Sequence, residues 1–181
     1  LLQQASHPYI IQFHGLVRDE RDPKRRRYAV MSYAGNRDLA DAAEILPEQS
    51  KISILRKLAE AFSYVQTLGL VYNDVKPTNV MLGKDNSIID FDSVAPVDEP
   101  EPGAVRSTWG FQSLEQKVGI NHPKNPVYGL GALAYFMNTG TAPRVGLQPP
   151  EGWTDLNPGE QLDWYADKLF ATPPNPGFSK K

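Results

Sequence analysis

The 181-residue chain predicts an α+β fold in which a strand pair comes first and helices carry most of the remainder. Three observations lead there. Two β-rich runs near the start flank a charged turn. A long run further on repeats apolar residues at three- and four-residue spacing. A later stretch punctuated by glycine is apolar nearly throughout.

Taken in order, Leu1 to Ala5 reads as a helix end, stopped at Ser6-His7-Pro8 because a residue ahead of proline avoids the helical region. Tyr9 to Val17 and Tyr28 to Tyr33 read as an antiparallel hairpin across the turn Arg18 to Arg27, and Asn36 to Glu44 as a short helix. Lys51 to Leu68 is the clearest helix. Leu55, Leu58, Ala59, Phe62 and Val65 fall on one face, and Gly69 stands where a left-handed C-terminal cap is wanted. Short strands are expected at Val80–Leu82 and Ile88–Ile89, joined by a turn at Gly83 to Asn86, with Ser93 to Gln112 irregular. Val127 to Thr139 predicts a helix buried on all sides. Gly140 to Pro158 reads as loop, Gln161 to Phe170 as a helix, and 171–181 as a flexible, proline-rich tail. No internal repeat is present.

A hydrophobic content of 40% with 22% charged residues fits one soluble globular core. A formal charge of −2 gives no global electrostatic case for a nucleic-acid or anionic-membrane partner. The absence of cysteine excludes disulfides and thiolate metal sites, and it fits a reducing, intracellular and cytoplasmic setting. No apolar run reaches membrane-spanning length.

The chemistry is concentrated between Leu70 and Asp92. Lys76 follows Asp74 by two residues, Asn79 follows it by five, and Asp90 lies across a short hairpin in Ile88-Ile89-Asp90-Phe91-Asp92. These residues offer a carboxylate for a hydroxyl proton, a cation for a phosphoryl group, and an amide and a carboxylate for magnesium. Phosphoryl transfer asks for positioning and charge neutralisation more than covalent chemistry, so such a set makes half a site. Alone, Asp74 or Asn79 would read as a turn residue making local hydrogen bonds.

The stretch resembles the catalytic and metal-binding loops of eukaryotic-type protein kinases, usually spelled H-R-D-x-K-x-x-N and D-F-G. Other segments resemble that family in the same order. His7-Pro8-Tyr9-Ile10-Ile11 is similar to the turn after its regulatory helix, and Tyr28 to Ala34 to its fifth strand and hinge. Ser107-Thr108-Trp109-Gly110-Phe111-Gln112-Ser113-Leu114-Glu115 is similar to the end of its activation loop, and Val127-Tyr128-Gly129-Leu130-Gly131 to the start of its central helix.

The resemblance implies a protein-kinase-like fold: 1–34 the end of the N-terminal lobe and hinge, 35–170 the α-rich C-terminal lobe, with the N-terminal lobe incomplete. The glycine-rich lid, strand lysine and partner glutamate would precede His7, the glutamate by family spacing about two residues before Leu1. It further implies ATP and magnesium as cofactors, a protein substrate, and serine/threonine specificity from Lys76 and Thr108. Asp74, Lys76 and Thr108 would be catalytic, and Asn79 and Asp90 would hold magnesium. Met31 would be the gatekeeper, the backbone of Ser32, Tyr33 and Ala34 would bind adenine, and Met81 would lie beneath it. Phe13, Tyr72 and Phe91 would stack as a regulatory spine, or be plain core. The IIDFDS spelling is similar to that of divergent fungal kinases.

The departures matter as much. Tyr72 and Asn73 stand for the usual histidine and arginine, Asp92 for the glycine of D-F-G, and Leu114 for the proline of A-P-E. Pro126 stands for the aspartate that anchors the catalytic loop, so a looser loop is expected. Two other readings stay open: a pseudokinase or truncated remnant acting as a binding scaffold, and a small-molecule kinase of the aminoglycoside or choline type. The cluster Lys24 to Arg27 reads as a solvated hairpin tip, and Asp98, Glu99 and Glu101 as a charged loop.

Overall fold

A computed structural model describes residues 6–83, 88, 93–98, 107–117 and 119–143. The expected hairpin is present. Strands β1 (Phe13–Arg18) and β2 (Arg27–Met31) pair antiparallel, with Leu16 opposite Ala29 and Val17 opposite Tyr28. Its turn is organised by Asp22, which accepts from the Lys24 and Arg26 backbone and from Arg26 Nε at 2.7 Å. The basic cluster is thus a hairpin tip.

After the hairpin, Asp38 caps the short helix α1 (Leu39–Ala42) by accepting from Asp41 N, and a 3-10 turn Ala43–Ile45 follows. Helix α2 (Glu48–Thr67) is the long amphipathic helix. Its buried face is Ile54, Leu58, Ala61, Phe62 and Val65, whereas Leu55 and Ala59 are only half-buried. The face is rotated slightly from the expected one because Ile54 and Ala61 complete a stripe centred on Leu58. Gly69 takes the left-handed conformation (φ +73°), which a side chain would oppose.

Three expectations are corrected. Val94–Pro96, read as irregular, is strand β4, antiparallel to β3 (Leu70–Tyr72) with Val71 opposite Ala95. Prolines hid it, but Pro96 sits at the strand end, where a missing donor costs little. In place of a strand at Val80–Leu82 there are single bridges, Val80 to Ile88 and Asp38 to Met81; Ile88 also bridges to Ile10, while Ile89 and the expected turn residues 84–86 lie outside the described residues. Finally, helix α4 (Asn125–Thr139) is not buried all round, since Val127 is 63% exposed and Tyr135 44%.

Leu133 and Met137 of α4 and Leu58 and Phe62 of α2 share one core with Tyr72, Val75, Val80 and Phe111. Burying a residue such as Leu58 or Leu133, both 0% exposed, is worth roughly 1.5–3 kcal/mol. This core lies directly beneath the loop that follows β3. The expected helices at 1–5 and 161–170, the loop at 144–158 and the tail at 171–181 lie outside the described residues, as do Asp90, Phe91 and Asp92. Among the described residues, no helix is long and apolar enough to cross a membrane.

Candidate functional site

The loop is held at both ends by backbone. Asn73 N donates to Ser93 O at 3.0 Å, extending the β3–β4 ladder by one bond. Pro77 then opens a 3-10 turn, Pro77–Asn79, with Asn79 N donating to Lys76 O at 3.1 Å. Proline suits that position, since its fixed φ matches and its missing N–H would have no helical partner. The turn carries Asn79 back over Asp74. Its Nδ2 donates to Asp74 O at 3.0 Å, Asp74 Oδ2 at 3.1 Å and Tyr72 Oη at 3.3 Å.

Lys76 and Thr108 complete the group. Lys76 Nζ lies 2.5 Å from Asp74 Oδ2, and Thr108 Oγ1 donates to Asp74 Oδ1 at 2.8 Å. Asp74 is buried, and each of its carboxylate oxygens has a partner. A carboxylate offers about four acceptor sites, so capacity remains for a further donor. The structure therefore brings Asp74, Lys76, Asn79 and Thr108 together. Asn79 turns its amine end to Asp74, which makes its amide oxygen the end a cation would take. Amide and carboxylate oxygens are the hard donors that magnesium prefers. Among the described residues no group of three His, Cys, Asp or Glu forms a metal site, and Asp90 lies outside them.

The other predicted residues line the connection after β2. Met31 closes that strand opposite Phe13 and is 46% exposed; Tyr33 is 82% exposed and Ala34 half-buried. Ser32 N donates to Gln12 O, and Ser32 Oγ lies 2.8 Å from His14 Nε2. Met81 is half-buried and bridges to Asp38, while Leu82 N donates to Arg37 O. A side chain added at Gly83 would sit 2.3 Å from the Ala34 carbonyl, so 34–35 runs tight against 82–83. Of the spine residues, Tyr72 stacks on Phe62 with ring centroids 5.4 Å apart, and Phe13 is half-buried.

The looser loop expected from Pro126 is not found. Pro126 lies in the first turn of α4, and its neighbour Asn125 takes over the anchoring. Asn125 Nδ2 donates to Asn73 Oδ1 at 3.1 Å and to Ile120 O at 3.0 Å. Asn73, only 2% exposed, also donates to Asn121 Oδ1 at 2.6 Å and accepts at its carbonyl from Gln116 Nε2. Gln116, Asn121, Asn125 and Ser113 were missed in the sequence. A readable signal existed in Ser113-Leu114-Glu115-Gln116, the S-x-x-Q spelling of a helix-start capping box. Nearby, the Lys117 ammonium sits 4.6 Å from the Trp109 ring, and burial pulls its pKa down.

The protein kinase domain family matches residues 1–157. The chain is 34% identical over 123 residues to serine/threonine-protein kinase PknG of Mycobacterium leprae, covering 63% of this chain and 16% of that protein. It is 30% identical over 154 residues to sperm motility kinase 3A of Mus musculus, covering 79% of this chain and 29% of that protein. It thus spans less than a third of either relative. The fold is similar to a chain of the yeast RNA Pol II CTD kinase CTDK-1 complex, with a TM-score of 0.67 and 20% identity. That match covers 95% of this chain and 55% of the other.

Proposed function

The chain belongs to the protein kinase domain family, and on that premise we propose that it carries the catalytic portion of an enzyme transferring the γ-phosphoryl group of ATP to serine or threonine hydroxyls of a protein substrate. The observation that carries this reading is the convergence on Asp74, with Thr108 on one carboxylate oxygen and Lys76 and Asn79 on the other.

Asp74 accepts the proton of the attacking hydroxyl, its carboxylate unable to turn away while both oxygens are held. The Lys76 ammonium stands at the same oxygen and neutralises charge on the transferring group. Thr108 fixes the carboxylate plane. Asn79, with Asp90, is the proposed holder of magnesium, which supplies neutralisation of the phosphate charge when bound. Met31 and Met81 border the proposed adenine site. Because Ser32 N is engaged by Gln12 O, adenine would be read by the Ser32 carbonyl and the backbone of Tyr33 and Ala34. Lys76 two residues after Asp74, together with Thr108, favours serine or threonine over tyrosine as acceptor.

The test uses the full-length protein and its Asp74→Asn variant, with labelled ATP and a panel of protein and small-alcohol acceptors. Asp74→Asn should lower transfer about 100- to 10,000-fold, the range of general-base contributions, with ATP binding retained. Equal transfer by both forms would remove Asp74 from the mechanism. Labelling of small alcohols alone would make this a small-molecule kinase. No transfer and no magnesium-dependent thermal shift with ATP would make it a scaffold.

A further inference from the structure

We propose that Gln116 is a positioning residue that locks the Asp74 loop to the helix after Thr108 through a ring of uncharged hydrogen bonds. The ring closes on itself. Ser113 N donates to Gln116 Oε1 at 2.9 Å and Gln116 N donates to Ser113 Oγ at 3.2 Å, which is the reciprocal pair of a capping box at the start of α3 (Leu114–Lys117). Ser113 Oγ in turn donates to Asn125 Oδ1 at 2.8 Å, and Asn125 Nδ2 donates to Asn73 Oδ1. Gln116 Nε2 donates to the Asn73 carbonyl and completes the circuit.

Glutamine and glutamate serve a capping box equally well, because the box uses only the side-chain acceptor. They differ in what is left over. Glutamine keeps an amine that donates; an ionised glutamate keeps a second acceptor. At position 116 the leftover atom faces the carbonyl of Asn73, the residue bonded directly to Asp74. Only a donor is tolerated there, and Gln116 is 1% exposed, so water does not replace it. The ring joins the β3 loop, α3 and α4, and every side chain in it is neutral and at most 4% exposed. The loop is therefore held without any charge at residue 73, and no added phosphate is needed to fix it.

The decisive variant is Gln116→Glu in the full-length protein, with Gln116→Leu beside it. A role confined to capping predicts that Gln116→Glu behaves as wild type. The positioning role predicts faster amide hydrogen exchange across Asn73 to Asn79 at pH 8, with α2 unchanged. At pH 5.5 a buried glutamic acid is protonated, donates as glutamine does, and restores protection in Gln116→Glu but not in Gln116→Leu. The charged residues within three positions of a ring member in sequence are Asp74 and Lys76 on the loop, Glu115 and Lys117 on α3, and His122 and Lys124 ahead of α4, so wild type is measured at both pH values as the reference. On the phosphotransfer reading, kcat of Gln116→Glu falls about tenfold at pH 8 with the KM for ATP unchanged, and recovers on acidification. Wild-type protection in Gln116→Glu at pH 8 overturns the proposal, as does exchange that rises equally in α2. If wild type transfers no phosphate, the phosphotransfer reading fails, and the exchange result alone still decides this one.

Discussion

Helix α4 passes so close beneath the Asp74 loop that residue 129 has no room for a methyl group. A Cβ on Gly129 would lie 2.4 Å from Val75 Cβ and 2.9 Å from each of its γ carbons. Carbon atoms attract best at about 3.5–4.0 Å, so this contact is roughly 1 Å too short. Gly129→Ala sets two terms in opposition. Helix propensity improves by roughly 0.8–1 kcal/mol. Overpacking costs about 1–3 kcal/mol, and the upper half applies because the nearest atom is a Cβ, which no rotamer change relocates. The net loss is about 1–2 kcal/mol, which lowers the melting temperature of a domain this size by roughly 2–8 °C. Gly131, on the same helix, is the control. Nothing lies within 4 Å of its added Cβ, so Gly131→Ala should gain the propensity term alone. Its melting temperature should rise by roughly 2–4 °C. Val75 separates Asp74 from Lys76, so on the proposed function a shift of about 1 Å there should also cost about 100-fold in phosphate transfer. Scanning fluorimetry and a transfer assay on both variants decide the matter. Equal stability of the two, with turnover intact in Gly129→Ala, would refute the close approach.

Three further outcomes follow from the same geometry. Asn73→Arg, which restores the family's usual residue, should destabilise rather than activate. It places a guanidinium in a neutral amide pocket that is 2% exposed, at a cost of roughly several kcal/mol, measured as a fall in the urea midpoint. Leu133→Ala, at a position 0% exposed, should cost about 2–5 kcal/mol in equilibrium unfolding, while Val127→Ala, 63% exposed on the same helix, should stay within about 0.5 kcal/mol. His7 stacks on Tyr64 with centroids 5.1 Å apart, and burial lowers its pKa against a smaller opposing pull from Glu60. A folded-state pKa below the unfolded value means this contribution is complete above about 6.5 and is lost as pH falls through the depressed pKa. His7→Phe should therefore flatten the acid limb of the stability profile, and an unchanged limb would count against it.

The residues that converge on Asp74 were legible because their types and spacing, within one short stretch, match the pattern of the protein kinase domain family. Asp74, Lys76 and Asn79 lie within six positions, and Pro77 supplies the turn that folds Asn79 back. The hairpin and α2 were legible for a different reason: periodicity records which face is buried. What escaped was whatever depends on pairing across distance. Strand β4 contains only three residues and ends in proline, so nothing local marks it; its partner β3 defines it. The exposure of Val127 and Tyr135 was hidden in the same way. An apolar residue on a helix carries no mark of whether anything covers it. Ser113, Gln116 and Asn125 escaped because amides are ordinary surface residues until burial forces them to find partners.

That last class changes what the departures from the family pattern mean. Judged singly, Asn73 in place of arginine and Pro126 in place of aspartate each remove a charge from the machinery around Asp74, and each argues for loosening. Considered together they describe a different solution. A buried guanidinium and a buried carboxylate each carry a large desolvation cost that only good mutual geometry offsets, and losing either partner leaves the other stranded. Amides carry a smaller cost and satisfy one another with a donor and an acceptor apiece. With asparagine at 73, Asn125 on α4 serves the loop by donating to Asn73 Oδ1 and accepting from Ser113 Oγ at once. Pro126 then costs nothing, since its missing N–H falls in the first helical turn, where such groups have no helical partner. The hold on the loop is therefore a property of the hydrogen-bonded set of Asn73, Ser113, Gln116 and Asn125 rather than of any one member.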